Sequence, residues 1–423
     1  MSSLERPLRI AMVAACPLPA RRGTPLRVER LAQALHARGH DIELITYHLA
    51  EEDGQFGFPV SRIFDRREPG TLAPGPTLAK LAVYDPALAL LIRRRLRARP
   101  FDVIHAHHFE GLLTASFGRH GSDVPLVYDA HTMLDAELPA YGKSWVRQAA
   151  RRVGQRLDRW IPSLADRMVV VTRSIRDQLV DQHGFDPRQI AVVPNGVEAD
   201  AFVEGTRTIV PDRDLLLYSG TLAPYQGIDL MLHAFAAALK VRPGLRLRLL
   251  VSSSFEPFAP MARSLGIAQA IEVVQESFDL LPRRLAEGAI ALLPRVDCPG
   301  LPQKLLNYMA SGRAIVAFAG SAKVLTHEVN GLIVPNHDIP GFAAAIVRLV
   351  DDPELGAKLG QAARTYVLAT STWDRTAERC ERVYASLLGL EPMPSGEFQP
   401  EQLLPMPNAA PHGTGHGTLT TVP

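Results

Sequence analysis

The sequence predicts an α/β protein built of two successive doubly wound domains. Three observations predict it: apolar runs of strand length alternate with helical periodicity, the alternation breaks once and restarts, and apolar residues suffice for two cores. Strands alternating with helices imply βαβ units, and hence a parallel sheet covered on both faces. At 423 residues and 47% hydrophobic composition the chain is long enough for two or three domains.

The first unit opens with an apolar run at Leu8–Ala15, a loop containing Pro17, Pro19, Gly23 and Pro25, and a helical pattern over Arg27–Arg38 closed by Gly39. Strands are expected at His40–Tyr47, Asp102–His107, Leu126–His131, Arg167–Thr172 and Ile190–Pro194. Helices are expected within Thr77–Arg99 and at Lys143–Ile161 and Ile175–His183. The segment Val197–Pro211 has mixed polarity without a period and is read as the linker. The pattern then restarts with a strand at Asp212–Ser219 and a helix at Ile228–Val241. Strands follow at Leu245–Ser252, Ile271–Gln275, Ala289–Pro294 and Ala314–Ala319. The resulting division is 1–205, 206–372, a terminal helix over 373–389, and a tail over 390–423. That tail is rich in Pro, Gly, His and Thr and is expected to be disordered.

Composition excludes several classes. A formal net charge of +2 gives no reason to expect nucleic acid. Three widely spaced cysteines (Cys16, Cys298, Cys380) argue against a disulfide scaffold or a structural zinc site and favour a reducing compartment. No apolar run reaches the length of a membrane span and no signal peptide is evident, so a cytoplasmic protein is expected. Arg and Lys flank an apolar stripe (Val146, Ala149, Val153, Leu157, Trp160, Ile161) within Lys143–Ile161. Such a helix either lies on an anionic membrane surface at its inner face or packs on the sheet with a solvated outer side. His105, His107 and His108 alternate at a strand end, but without a carboxylate set no metal is expected.

Pro302 to Gly312 reads as a short helix entering from a Gly/Pro loop and stopped by Gly312. Its N-terminus, with unpaired N–H groups and the positive end of the dipole, is a seat for an anion such as a diphosphate. Lys304 in its first turn is unfavourable for the helix itself, which points to a role in neutralising phosphate or binding a sugar hydroxyl. Two doubly wound halves leave a cleft between them, where ligands collect at the carboxyl ends of the strands.

Several stretches in order resemble glycosyltransferase family 4. They are RRGTPLRVERLAQALHARGHDIELIT, FDVIHAHH, PLVYDAHTMLDAELP, ADRMVVVTRSIRDQL and IAVVPNGVEADAF in the first half. In the second half they are LLLYSGTLAPYQGIDLMLHAF, GLPQKLLNYMASGRAIVAF, HEVNGLIVPNHD and TWDRTAERCERVY. The resemblance spans residues 8–388 and implies a GT-B fold, a retaining transfer from a nucleotide-sugar without metal or other cofactor, and a terminal helix returning to the first domain.

The resemblance also implies site residues. Asp297 stands near the first Glu of the family's donor motif, and Asn307 replaces the second Glu, which binds the ribose; strict counting puts the first at Pro299, so the loop is longer here. Gly300, Leu301, Pro302, Gln303 and Lys304 complete that donor loop and helix. Ser219, Gly220 and Gly227 keep the phosphate-loop geometry, whereas Thr221 and Gln226 stand where relatives place an Arg and a Lys. Gly23 and Thr24 match the loop after the first strand, and His131 matches the His that contacts the sugar; His131 and Asp297 are the catalytic candidates. Asp129 and Glu137 are weaker candidates.

The implied activity is transfer from a UDP-sugar, or a GDP-sugar, to a saccharide or lipid-linked acceptor in cell-surface polysaccharide or glycolipid synthesis. Two rivals stand beside it. One is a catalytically idle glycosyltransferase-like subunit, supported by the missing cations and by Asn307. The other is a different GT-B enzyme such as a nucleotide-sugar epimerase, which would need paired catalytic carboxylates in one cleft.

Overall fold

The computed structural model describes residues 6–20, 23–73, 75–141, 147–251, 253–275, 280–298 and 300–390. The tail beyond Leu390, the Lys143–Val146 start of the basic helix, and Pro299 lie outside the described residues. No described helix is long and apolar enough to cross a membrane.

The strands in chain order are β1 Arg9–Ala14, β2 Asp41–Thr46, β3 Leu49–Ala50, β4 Val60–Arg62, β5 Glu68–Pro69, β6 Val103–His107, β7 Leu126–Ala130, β8 Arg167–Val170 and β9 Ile190–Val192. The second half contributes β10 Asp212–Ser219, β11 Arg246–Leu250, β12 Ile271–Val274, β13 Gly288–Leu293, β14 Ala314–Phe318 and β15 Leu332–Val334. The first half forms a parallel sheet ordered β4-β2-β1-β6-β7-β8-β9, and the second a parallel sheet ordered β12-β11-β10-β13-β14-β15. In both, the order reverses beside the first strand, at β1/β6 and at β10/β13. Helices on either side of such a reversal diverge and open a crevice at the strands' carboxyl ends.

Both sheets are buried on two faces, which is why their strands read as apolar runs rather than alternations. Along β1, Ile10, Met12 and Ala14 join one core cluster while Ala11 and Val13 join the other. In β14, Val316 and Phe318 pack on one side and Ile315 and Ala317 on the other. The segment read as a linker contains a helix, Ala199–Thr206, and its Phe202 is buried in the core of the second half. With one buried aromatic in eight residues, that helix is too short to show a period.

The helix Trp373–Leu387 packs against Gly23–Ala37, adding Ala377, Cys380, Val383 and Tyr384 to the core under β1. A charged contact fixes it there. The fully buried Glu381 accepts from Arg38 Nε and Nη2 at 2.7 and 2.8 Å and from His40 Nε2 at 2.9 Å. Because the Leu8 N–H donates to His40 Nδ1, the proton of that ring sits on Nε2, facing the carboxylate.

Removing one partner of a buried ion pair strands the other, at a cost of about 3–5 kcal/mol. Glu381→Ala is therefore expected to lower the unfolding free energy, measured by urea titration, by that amount, and Glu381→Gln, which keeps an acceptor, by clearly less. Equal losses in the two variants would mean that the contact is only packing.

Candidate active site

On the second sheet, β10 ends at Ser219 and is followed by Gly220, at φ 120°. A Cβ there would lie 2.9 Å from Lys304 Nζ, so only glycine leaves the lysine its place. The helix Ile228–Val241 starts from the left-handed Gly227, where a Cβ would lie 2.2 Å from the Pro294 carbonyl oxygen just beyond β13. These two glycines bring the loops of β10 and β13 together at the reversal point. Tyr308, buried in the helix Gln303–Ser311, holds the strand end by accepting the Ser219 N–H at 2.7 Å.

Lys304 lies in the first turn of that helix. Its Nζ donates to Tyr218 Oη and to Gln226 Oε1, both at 2.9 Å, and sits 4.3 Å from the centre of the Tyr218 ring. Among the described residues no carboxylate pairs with it. Burial, reinforced by the nearby Arg295, pushes its pKa down to about 7. Arg295 follows β13 by two residues, stacks 4.9 Å over Tyr225 and donates from Nε to the Asp297 carbonyl at 2.5 Å. This side of the crevice thus has two neighbouring cations, Lys304 and Arg295. Gln226 does not stand in for a cation; its amide oxygen holds one.

Asn307, one helical turn beyond Lys304, is buried with its Oδ1 unpartnered. A buried acceptor without a donor is costly. Gln303 donates to the Gly196 carbonyl at 2.8 Å and so ties the helix to the end of the first half. Leu301 is buried, and Pro302 is the residue preceding the helix. Asp297 is exposed, and the contact it makes with Arg295 is through its backbone carbonyl.

On the first sheet, the ends of β6 and β7 carry His105, His107, Asp129 and His131 around one fully buried carboxylate. Asp129 Oδ2 accepts from Arg27 Nε at 2.9 Å and from His105 Nε2 at 3.2 Å, with His107 Nδ1 at 3.4 Å. His105 Nδ1 in turn lies 2.6 Å from Tyr384 Oη of the terminal helix. Arg27 also donates to Asn195 Oδ1 and the Val193 carbonyl. Although burial opposes its ionisation, Arg27 and the imidazoles keep the Asp129 carboxyl well below the usual carboxylate range. Burial holds His107 down to about 4 and His131 well below its ordinary value, so both rings are neutral. His131 Nδ1 meets Thr24 Oγ1 at 3.0 Å, and its Nε2 meets His107 at 3.3 Å. Gly23 and Thr24 begin the helix Gly23–Ala37, whose N-terminus therefore opens beside His131.

His105, His107 and Asp129 place potential ligand atoms within 4.8 Å of one another. The Arg27 guanidinium, however, occupies the cation position against Asp129. The trio is a hydrogen-bonded support for His131 rather than an open metal cradle. Glu137 pairs with His108 at 2.9 Å; burial lowers the pKa of that imidazole, but Glu137 outweighs it and the net shift is upward. The two half-sites meet: a Cβ on Gly300 would lie 3.6 Å from the His131 carbonyl oxygen.

Gly220, Gln226, Gly227 and Lys304 thus share one cluster, and Thr24 and His131 another, joined where the Gly300 loop reaches β7. The residues that sequence reasoning missed are Arg295, Tyr218, Tyr308 and Arg27. Arg295 had a legible signal, since it directly follows the apolar run that becomes the strand beside β10.

Two sequence profiles match the chain: Glycosyltransferase Family 4 over residues 22–201 and Glycosyl transferases group 1 over residues 213–352. The D-inositol 3-phosphate glycosyltransferase of Acidothermus cellulolyticus is 30% identical, covering 90% of this chain and 91% of that protein. That of Kineococcus radiotolerans is 29% identical over 86% and 90%. In fold, the chain is similar to sucrose-phosphate synthase from Thermosynechococcus elongatus, with a TM-score of 0.74 at 19% identity over 91% of this chain and all of that one. It is also similar to Anabaena HepE in complex with UDP and glucose, with a TM-score of 0.66 at 16% identity over 90% of this chain and all of that one. These relatives, together with the two facing parallel sheets, establish that the chain is a glycosyltransferase of family 4 with the GT-B fold.

Proposed function

We propose that the enzyme transfers a sugar, with retention of anomeric configuration, from a nucleotide diphosphate sugar to a saccharide or lipid-linked acceptor in cell-surface polysaccharide or glycolipid synthesis. UDP-sugar is the favoured donor over GDP-sugar. The observation that carries this reading is the pair Lys304 and Arg295. Two cations without carboxylate partners among the described residues, beside the N-terminus of Gln303–Ser311, form a receptor for a diphosphate. The reading needs no metal, since these side chains and backbone N–H groups supply the positive charge.

In the transfer, the acceptor hydroxyl oxygen bonds to the anomeric carbon as the bond from that carbon to the diphosphate oxygen breaks. The electron pair leaves on the diphosphate, which takes the acceptor's proton, so no side chain acts as a strong base. Lys304 and Arg295 stabilise the charge that grows on the leaving group. A sugar hydroxyl takes the place of Thr24 Oγ1 at Nδ1 of the neutral His131, whose Nε2 stays on His107. Asn307 offers its free amide oxygen to the ribose diol. Arg295 also weakens the case for an idle subunit, which rested on the cations absent at Thr221 and Gln226.

The helix Arg147–Trp160 supports a lipid-linked acceptor. It packs on Leu134–Tyr141 through Gly154 and Asp158, while Val153 and Trp160 stay exposed at 47% and 52%. Arg151, Arg152 and Arg159 are exposed around them. Of the apolar stripe, Leu157 and Ile161 pack on the first-half core while Val153 and Trp160 face outward among cations, and this exposed part suits an anionic bilayer surface. The relatives named D-inositol 3-phosphate glycosyltransferases make a small phosphorylated polyol the rival acceptor.

Calorimetry against UDP-, GDP- and ADP-sugars is expected to show binding of one nucleotide class, weakened about 10- to 100-fold by Lys304→Met, the worth of one charge-assisted contact. No binding across the panel would sink the transferase reading in favour of an idle subunit. Donor affinity should also depend on pH. Lys304 is protonated below about 7, and above that value binding must take up a proton. Affinity for a UDP-sugar, whose diphosphate diester does not titrate in this range, is expected to fall by up to about tenfold per pH unit above 7. Lys304→Met should flatten that profile. Finally, sedimentation with phosphatidylglycerol vesicles should retain the wild type and lose an Arg151→Glu/Arg152→Glu/Arg159→Glu variant. No sedimentation of the wild type with phosphatidylglycerol vesicles would argue for the soluble phosphorylated acceptor instead.

A further inference from the structure

A cavity of about 280 Å³ lies at the amino ends of β10, β13 and β14, the end of the second sheet opposite Lys304. Three arginines line it: Arg213 on β10, Arg313 between the helix Gln303–Ser311 and β14, and Arg364 on the helix Pro353–Thr370. Among the described residues none of the three has a carboxylate partner. Nearby, Asp212 pairs with Arg246, Asp351 pairs with Arg242 at 2.6 Å, Asp352 is the cap accepting from Leu355 N–H at 2.9 Å, and Asp214, next to Arg213, is exposed. Arg364 donates to Thr206 Oγ1 at 2.7 Å, while Arg313 Nε is buried with no hydrogen-bond partner.

Arg313, with its buried unpaired donor, and Arg364 are partly desolvated and repel each other, while the exposed Arg213 sits at the rim of the same concavity. Burial lowers the pKa of Arg313, and the neighbouring Arg364 adds to it. A cost of this kind is offset when an anion enters, because guanidinium groups present N–H donors in the planar pattern that phosphate oxygens accept. Pro353 and Gly356, also in the lining, bring the first turn of an 18-residue helix to the same cavity. The geometry points to a second anion site, separate from the catalytic cleft, that binds a phosphate dianion, either orthophosphate or a small phosphomonoester. It is placed to act on the donor helix, because Gln303–Ser311 runs from Lys304 at one end to Arg313 just past the other.

Calorimetry at fixed ionic strength, with chloride as the reference anion, tests this on the full chain. The Lys304→Met background keeps the donor cleft from contributing, and orthophosphate and glycerol 3-phosphate are titrated separately. The expected result is a one-site isotherm with phosphate that chloride does not reproduce, weakened about tenfold or more by Arg313→Gln/Arg364→Gln. The tighter of the two ligands tells the free anion from the ester. Arg213→Gln, at an exposed position, is the variant to use if the double exchange unfolds, and it should weaken binding severalfold. Heats no larger than those of chloride, or an isotherm unchanged by these variants, would overturn the proposal. The outcome is independent of whether Lys304 binds a nucleotide-sugar.

Discussion

The Asp129 carboxylate, buried at the end of β7 and held ionised by the Arg27 guanidinium, is the contact on which the first half of the site depends. Arg27 comes from the helix after β1, His105 and His107 from β6, Asn195 from the segment after β9, and Tyr384 from the terminal helix. One charge pair therefore gathers four separate parts of the chain under the cleft floor. An ion pair this deep contributes little net stability over an apolar substitute, but it fixes geometry, because Asp129 Oδ2 collects the directed contacts of Arg27, His105 and His107 while Oδ1 has no hydrogen-bond donor. His131 inherits that geometry. Its ring is clamped between Thr24 and His107 through both of its nitrogens and kept neutral by burial.

The opposite wall is organised by a different constraint, the shortage of negative charge. Lys304 spends its donors on two neutral oxygens, and Arg295 rests on an aromatic ring and a backbone carbonyl. Neutral partners position a cation without neutralising it. The wall keeps an attractive field for an anionic ligand and accepts a lowered lysine pKa in its absence. Glycine at 220 and 227 makes the arrangement sterically feasible, since any side chain there would displace Lys304 or the exit of β13.

Much of this was legible along the chain. Strands at Asp212–Ser219 and Ala314–Ala319 and the helix Ile228–Val241 stand at or within a residue of their expected bounds, because buried parallel strands are continuous apolar runs and Gly227 and Gly312 mark helix ends. The helix Ala199–Thr206 was not legible, since one buried Phe in a polar stretch has no period. The basic helix was read with its apolar stripe in two orientations; only its packing through Gly154 and Asp158 shows that Val153 and Trp160 face outward.

Sequence by itself determined the two parallel sheets, the helix read from Pro302 (which starts one residue later, at Gln303) and the presence of Lys304 in its first turn, because these follow from local periodicity and from the residues that start and stop helices. Tertiary structure alone decided which side chains share the cleft. Arg295 and Lys304 are separated along the chain by a loop and become neighbours only because β13 lies beside β10. Arg27 and Asp129 meet because β1, β6 and β7 are adjacent strands. Whether a charge finds a partner depends on that adjacency, and spacing along a single strand or helix does not contain it.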